Sequence, residues 1–260
     1  MKQKIQRFGL LALSVALFYS CGGEAPPSSS EETAPEEDFY TINPAEAGNI
    51  SGKVTYEGEV PPAEEIDMSA EPECAKQHSG PILSQRLLVD KSGGLANVFL
   101  SIEADFEGLK FKVPAEPVVI DQGGCLYTPR VVGVRAEQRL LVSNSDPVTH
   151  NVHPLPRFNR ESNRTQSSGS DPLLLPFRRP EMMIPVKCNL HSWMVTFVSV
   201  MPHPFFAVSA ADGSYQIQGL PPGEYTLLAM HERLGHQRVT FTVGPGESKS
   251  IEIPYKQPKK

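Results

Sequence analysis

Helical pattern is what this chain has least of. After the first twenty residues, apolar positions do not recur at the three-and-four spacing that buries one face of a helix. No later run is apolar and long enough to span a bilayer as a helix. There is no C-x-x-C pair, which argues against a closed structural zinc site, and no C-x-x-C-H for covalent haem. No G-x-S-x-G turn is present to present a nucleophilic serine. Positive charge is not in excess: 24 Lys and Arg stand against 30 Asp and Glu, a formal net charge of −6, so nothing favours nucleic acid. Tryptophan occurs once, and cysteine only four times.

Turn formers, by contrast, are plentiful, with 25 Pro and 20 Gly. Between them lie short alternating or apolar runs: Ile50–Tyr56, Ala96–Ile102, Pro117–Asp121, Val131–Val134, Arg139–Ser143, Val195–Val200, Ser214–Ile217, Tyr225–Ala229 and Val239–Val243. Many short strands separated by turn signals predict an all-β fold built of sandwiches.

The N-terminus reads as an export signal. Lys2, Lys4 and Arg7 precede an apolar stretch, Phe8–Tyr19, that is too short to span a membrane. Ser20, Cys21, Gly22 and Gly23 follow, which resembles a bacterial lipoprotein signal peptide (residues 1–20) with Cys21 as the lipidated first residue of the mature chain. Phe18 and Tyr19 are bulkier than that pattern usually carries, and the competing reading is an ordinary secretory signal with Cys21 incidental. Residues 21–46 are expected to form a disordered tether, because residues 24–38 are Pro, Ser and acidic residues with no hydrophobic period. Without the three N-terminal cations and the six acids of that stretch, the net charge is only about −3.

The chemistry concentrates at Cys188, His191 and Met194, in the pattern C-x-x-H-x-x-M, with an H-N-V triplet beginning upstream at His150. One thiolate, two imidazoles and a thioether are the donor set of a blue-copper site, where soft sulfur and a weak axial Met suit both copper oxidation states. The stretch from Cys125 to Val152, with an aromatic and Pro before one strand and a strand ending in Asn and Asp before the His-Asn pair, resembles the front half of a plastocyanin- or amicyanin-like cupredoxin. The Cys188–Met194 loop and the apolar strand after it resemble the back half. The resemblance implies a Greek-key sandwich over residues 113–202 holding one mononuclear type I copper. His150, Cys188, His191 and Met194 would be its ligands, with Asn151 pinning the Cys loop and Trp193 shielding the metal. His153 is expected to face elsewhere, either as solvent-exposed histidine or as an extra metal contact. His203 and His231 are expected to be structural.

The flanks resemble a different family. GNISGKVTYEG (Gly48–Gly58) and ADGSYQIQGLPPGEYTLLA (Ala211–Ala229) resemble the opening strand and closing hairpin of a carboxypeptidase regulatory-like (transthyretin- or prealbumin-like) sandwich. That implies a discontinuous domain, residues 47–112 and 203–255, split by the cupredoxin. The alternative is that residues 47–112 belong to the cupredoxin. With Cys21 assigned to lipid and Cys188 to metal, Cys74 and Cys125 remain and are expected to pair in an oxidising compartment. A second metal site at Cys74 and His78 is the competing reading.

Together these features predict an exported, lipid-anchored protein facing the periplasm or cell exterior, carrying single electrons for a periplasmic or membrane-bound redox partner. It would not be an enzyme: multicopper oxidases need paired H-x-H elements, and the spacing of His150 and His153 is wrong. Five arginines between Arg157 and Arg179 would offer an acidic partner a docking patch, solvated loop charge being the default. Two alternatives stand: copper sequestration or delivery, and a carbohydrate-binding or adhesion lipoprotein whose cupredoxin fold holds no metal.

Overall fold

The computed structural model describes residues 39–106 and 108–257. The signal peptide, Cys21 and tether residues 21–38 lie outside the described residues. Of residues 39–46, grouped with the tether on composition, Tyr40 is docked: its amide donates to the Lys110 carbonyl at 2.6 Å, and its ring meets Phe111 edge-on.

The chain is nearly all β. It enters on β1 (Gly48–Glu57), then passes one helical turn, α1 (Pro72–Ala75), before β2 (Phe99–Glu103). Next come β3 (Val118–Gly123), β4 (Leu126–Thr128), β5 (Val131–Arg135), β6 (Leu140–Asn144) and β7 (His150–Pro154). These are followed by β8 (Arg164–Gln166), β9 (Leu173–Leu175), β10 (Glu181–Lys187) and β11 (Val195–Met201). The last third holds β12 (Phe206–Val208), β13 (Ser214–Leu220), β14 (Gly223–His231), β15 (Gly235–Val243), β16 (Ser248–Ser250) and β17 (Ile253–Lys256). Among the described residues no helix is long and apolar enough to cross a membrane.

Four sheets enclose two main cores. β13-β1-β16, with β17 also on β1, and β12-β2-β14-β15 cover a core of Ile50, Val54, Leu100, Ile102, Ile217, Leu227 and Tyr255. β5-β11-β10-β7-β8 and β4-β3-β6-β9 cover a second, with Ile120, Val142, Val152, Ile184, Val186 and Val198. Alternation does this directly, since Ile50, Val54 and Tyr56 on β1 and Ile184 and Val186 on β10 fall on the buried face of their strands. Gly52 is required where β1 passes from β16 to β17, because a Cβ there would lie 1.9 Å from the Ile251 carbonyl oxygen.

Sequence proximity does not decide which core a residue joins. Ile66, Met68, Cys74 and Ile82, all upstream of β2, pack on the second core and not on that of their neighbour β1. The Cys74–Cys125 disulfide fastens this excursion to the β3–β4 hairpin. Closing 51 residues of chain, it restricts the unfolded state by about 4 kcal/mol on loop entropy alone.

A third apolar cluster, Phe99, Val131 and Met201 with Phe197 and Phe206, joins the two sandwiches. Gly133 makes room for it, since a Cβ there would sit 2.4 Å from the Phe206 ring. Arg130 and Glu232, each 8% exposed, pair across the same junction through two hydrogen bonds.

His203 and His231 are buried in structural roles. His203 Nδ1 accepts from the Phe205 amide, and His231 Nδ1 accepts from the Arg233 and Leu234 amides. Burial lowers both from 6.5 to about 4. The folded protein therefore resists protonating them while the unfolded chain does not. Their contribution is intact above pH 6.5 and is lost as pH falls from 6.5 toward 4, by up to about 1.4 kcal/mol per pH unit for each histidine. Denaturant titrations at pH 7 and pH 5 should show this drop. His203→Asn and His231→Asn keep an acceptor but cannot titrate, so they should flatten it; an equally steep drop in the double variant would refute the assignment.

Candidate metal centre

β10 and β11 pair antiparallel, and the connection between them, residues 188–194, is a tight loop at one end of the second sandwich. The Cys188 amide donates to the Met194 carbonyl at 3.2 Å and the Met194 amide to the His191 carbonyl at 3.0 Å, which closes the loop on itself. Cys188 thus sits just past a strand end, His191 in the turn and Met194 immediately before the next strand. β7 pairs with β10 and begins at His150, so its first side chain arrives at the same end of the sheet. The 37 residues between His150 and Cys188 hold the rest of β7 and three further strands, β8, β9 and β10.

The donors converge. His150 Nδ1 lies 3.0 Å from His191 Nδ1, and Cys188 Sγ lies 3.6 Å from the same nitrogen. The donor atoms of His150, Cys188 and His191 are all within 4.8 Å of one another and all three residues are buried. Met194 is buried in the same core as Cys188, with Trp193 packed against it.

Asn151 ties the two ligand segments together. Its amide donates to Cys188 Sγ at 3.3 Å, and its side-chain oxygen accepts from the Asn189 amide at 3.2 Å. Trp193 donates from Nε1 to the Cys125 carbonyl at 2.9 Å, and its ring centroid lies 5.4 Å from that of His191. His153 points away: its two ring nitrogens bond Asn189 and Glu161, so it is not an additional donor. His78 donates to the Gly124 carbonyl, and its would-be partner Cys74 is in the disulfide.

Sequence reasoning missed Asp146. Its Oδ2 accepts from His150 Nε2 at 2.7 Å and from the Cys125 amide at 2.8 Å, and its Oδ1 accepts from the Gly124 amide at 2.6 Å. Since a carboxylate can only accept, Asp146 fixes a proton on His150 Nε2, so Nδ1 is the nitrogen that faces the site and binds a metal once its own proton is released. In the sequence the residue marks only the end of the strand before the His-Asn pair; nothing local reveals that a hairpin about twenty residues upstream supplies its other donors.

Charge within the cluster is polarised. Burial alone would lower the His150 pKa, but hydrogen bonds and charge from Asp146 and Cys188 raise it to about 9. Burial would raise the Cys188 thiol, but bonds from His150 and from the Asn151, His191 and Leu190 amides hold it below its ordinary value. Burial, and next the His150 cation, lower His191. A buried cysteine whose pKa is lowered and which faces two imidazoles is a donor set that fits copper.

The chain matches no family model, and no curated protein matches it. Among solved structures it is similar to copper proteins. A copper-containing nitrite reductase from Thermus scotoductus is 17% identical, with 36% of this chain and 24% of the reductase covered and a TM-score of 0.31. A purple cupredoxin from Nitrosopumilus maritimus is 20% identical over 32% of this chain and 99% of its own, at a TM-score of 0.28. Amicyanin from Paracoccus versutus is 17% identical over 39% and 97%, at 0.30. This chain therefore spans about a quarter of the reductase's length and nearly all of the two small proteins.

Replacing Asp146 by Asn leaves the shape but puts an N–H where a second acceptor is needed. For a copper ion held by this cluster, the expected result is a 10- to 100-fold loss of affinity, read by competition with a chromophoric chelator. Unchanged affinity would remove Asp146 from the site.

Proposed function

We propose that this protein holds a single copper ion at His150, Cys188, His191 and Met194 and carries single electrons. The reading rests on one observation, the convergence of two Nδ1 atoms and one free thiol in a buried cluster closed by its own backbone hydrogen bonds. Copper bound there would supply one-electron Cu(II)/Cu(I) chemistry. The residues around it do the holding: Asp146 orients one imidazole, Asn151 fixes the thiolate, and Trp193 with the α1 segment excludes water. A set held this firmly changes little with oxidation state, which is what rapid electron exchange requires. The proposal includes export, a lipid anchor at Cys21, a redox protein partner outside the cytoplasm and no catalytic turnover. Titrating the full chain with Cu(II) tests the centre: one equivalent should produce the intense visible absorption of a Cu–thiolate bond. A protein that stays colourless would refute the copper reading.

A further inference from the structure

The Cys74–Cys125 disulfide does more than staple two loops. Cys74 Sγ lies 3.6 Å from His191 Nε2, on the far side of the ring from His150 and Cys188. The Cys125 amide donates to the Asp146 oxygen that also accepts from His150, and the Cys125 carbonyl accepts from Trp193. One covalent bond is thus in contact with one candidate ligand and one step removed from another. The two sulfurs and His191 Nε2 are within 4.8 Å of one another, and all three residues are buried.

The cover over this bond is slight. α1 is four residues long and lacks a side-chain N-cap bond. Glu71, Glu73, Ala75 and Lys76 around it are exposed. Apart from the disulfide, the side-chain bonds from this segment to the β3–β4 hairpin are Gln77 Nε2 to Cys125 Sγ at 3.7 Å and His78 Nε2 to the Gly124 carbonyl at 2.8 Å. A single helical turn held this way opens locally at small cost, which admits a reductant without unfolding the sandwich.

We propose that Cys74 and Cys125 form a second, thiol-dependent Cu(I) site, created when the disulfide is reduced and positioned against His191. The inference rests on the copper reading for its biological sense, since the two sites share an imidazole wall. The reductant is a dithiol. Two electrons and two protons pass from it to the Cys74–Cys125 bond, which breaks into two thiols, while the dithiol's own sulfurs join. Cu(I) then replaces the two thiol protons, which go to solvent. Paired thiolates select Cu(I) because both are soft. His191 faces the first donor set with Nδ1, and the proton it then carries on Nε2 is placed to donate to the Cys74 thiolate of the second. The protein would carry one copper when oxidised and two when reduced, so that reducing conditions raise its copper capacity.

The test counts tightly bound Cu(I) on the full chain by competition with bicinchoninate. One sample is oxidised; the other is reduced with a phosphine and desalted without oxygen. The readout is the difference between the two, to which other thiols contribute equally. Wild type should rise from one to two per chain, Cys188→Ala from none to one, and Cys74→Ser/Cys125→Ser should not change. No increase on reduction, in wild type and in Cys188→Ala alike, would overturn the proposal. If the double serine variant fails to fold, the Cys188→Ala pair decides alone. A count rising from none to one in wild type would keep this inference and refute the copper reading of the first site instead.

Discussion

Cys188→Ala is expected to abolish the visible absorption of the copper-loaded protein and to lower its Cu(II) affinity by at least about 100-fold, consistent with loss of the thiolate donor. Among the described residues Cys188 is the free cysteine, and the other two are joined to each other. Among these residues no second thiolate is available to replace it while the disulfide is intact. The variant should still fold. Its main structural cost is the Asn151 amide, which loses its sulfur acceptor, about 1–3 kcal/mol for a buried donor left unpaired. Spectra and denaturant unfolding on the same preparation separate the two effects. A variant that keeps the absorption would show that the copper–thiolate bond is elsewhere; one that does not fold would call for Cys188→Ser.

Glu232→Ala should produce the largest loss of stability from a single charged residue, about 3–5 kcal/mol. The Arg130 guanidinium donates to both carboxylate oxygens of Glu232 at 2.5 and 2.8 Å, and it lies over the Phe197 ring. Both side chains are 8% exposed at the junction of the two sandwiches. Removing the acid leaves Arg130 buried, with the Val195 carbonyl as its remaining acceptor. The buried pair itself need not be strongly stabilising, because desolvating two charges offsets most of their attraction. The double variant Arg130→Met/Glu232→Leu should therefore recover most of what Glu232→Ala loses. Guanidinium unfolding curves measure this directly, and a loss below about 1 kcal/mol for Glu232→Ala would mean water reaches the pair.

Much of the all-β fold was legible because its longer strands either alternate or form short apolar runs. β1, β13 and β15 alternate in burial, while β2, β5, β11 and β14 are buried over most of their length and read as short apolar runs between turn residues. The three-residue strands β4, β8, β9, β12 and β16 are too short to show a period and exist because a neighbour pairs with them. The docking of Tyr40 was unreadable for a similar reason, since an aromatic in a polar stretch docks only if a partner such as Phe111 is brought to it.

The site divides along the same line. Cys188, His191 and Met194 could be read because one short loop carries them all, and a local pattern survives in one dimension. His150 was marked by its Asn-Val neighbours. Asp146, the disulfide wall against His191 and the Arg130–Glu232 pair could not be read, because each joins segments between about twenty and more than one hundred residues apart. Side-chain chemistry and neighbours along the chain are enough for the strand-rich fold, the donor residue types and their spacing. Which nitrogen of His150 faces the site, what covers His191 and which core each segment joins are set only in the packed molecule. Those outcomes depend on contacts that exist only once distant strands are packed, and their energies come from burial and from hydrogen bonds made across that packing.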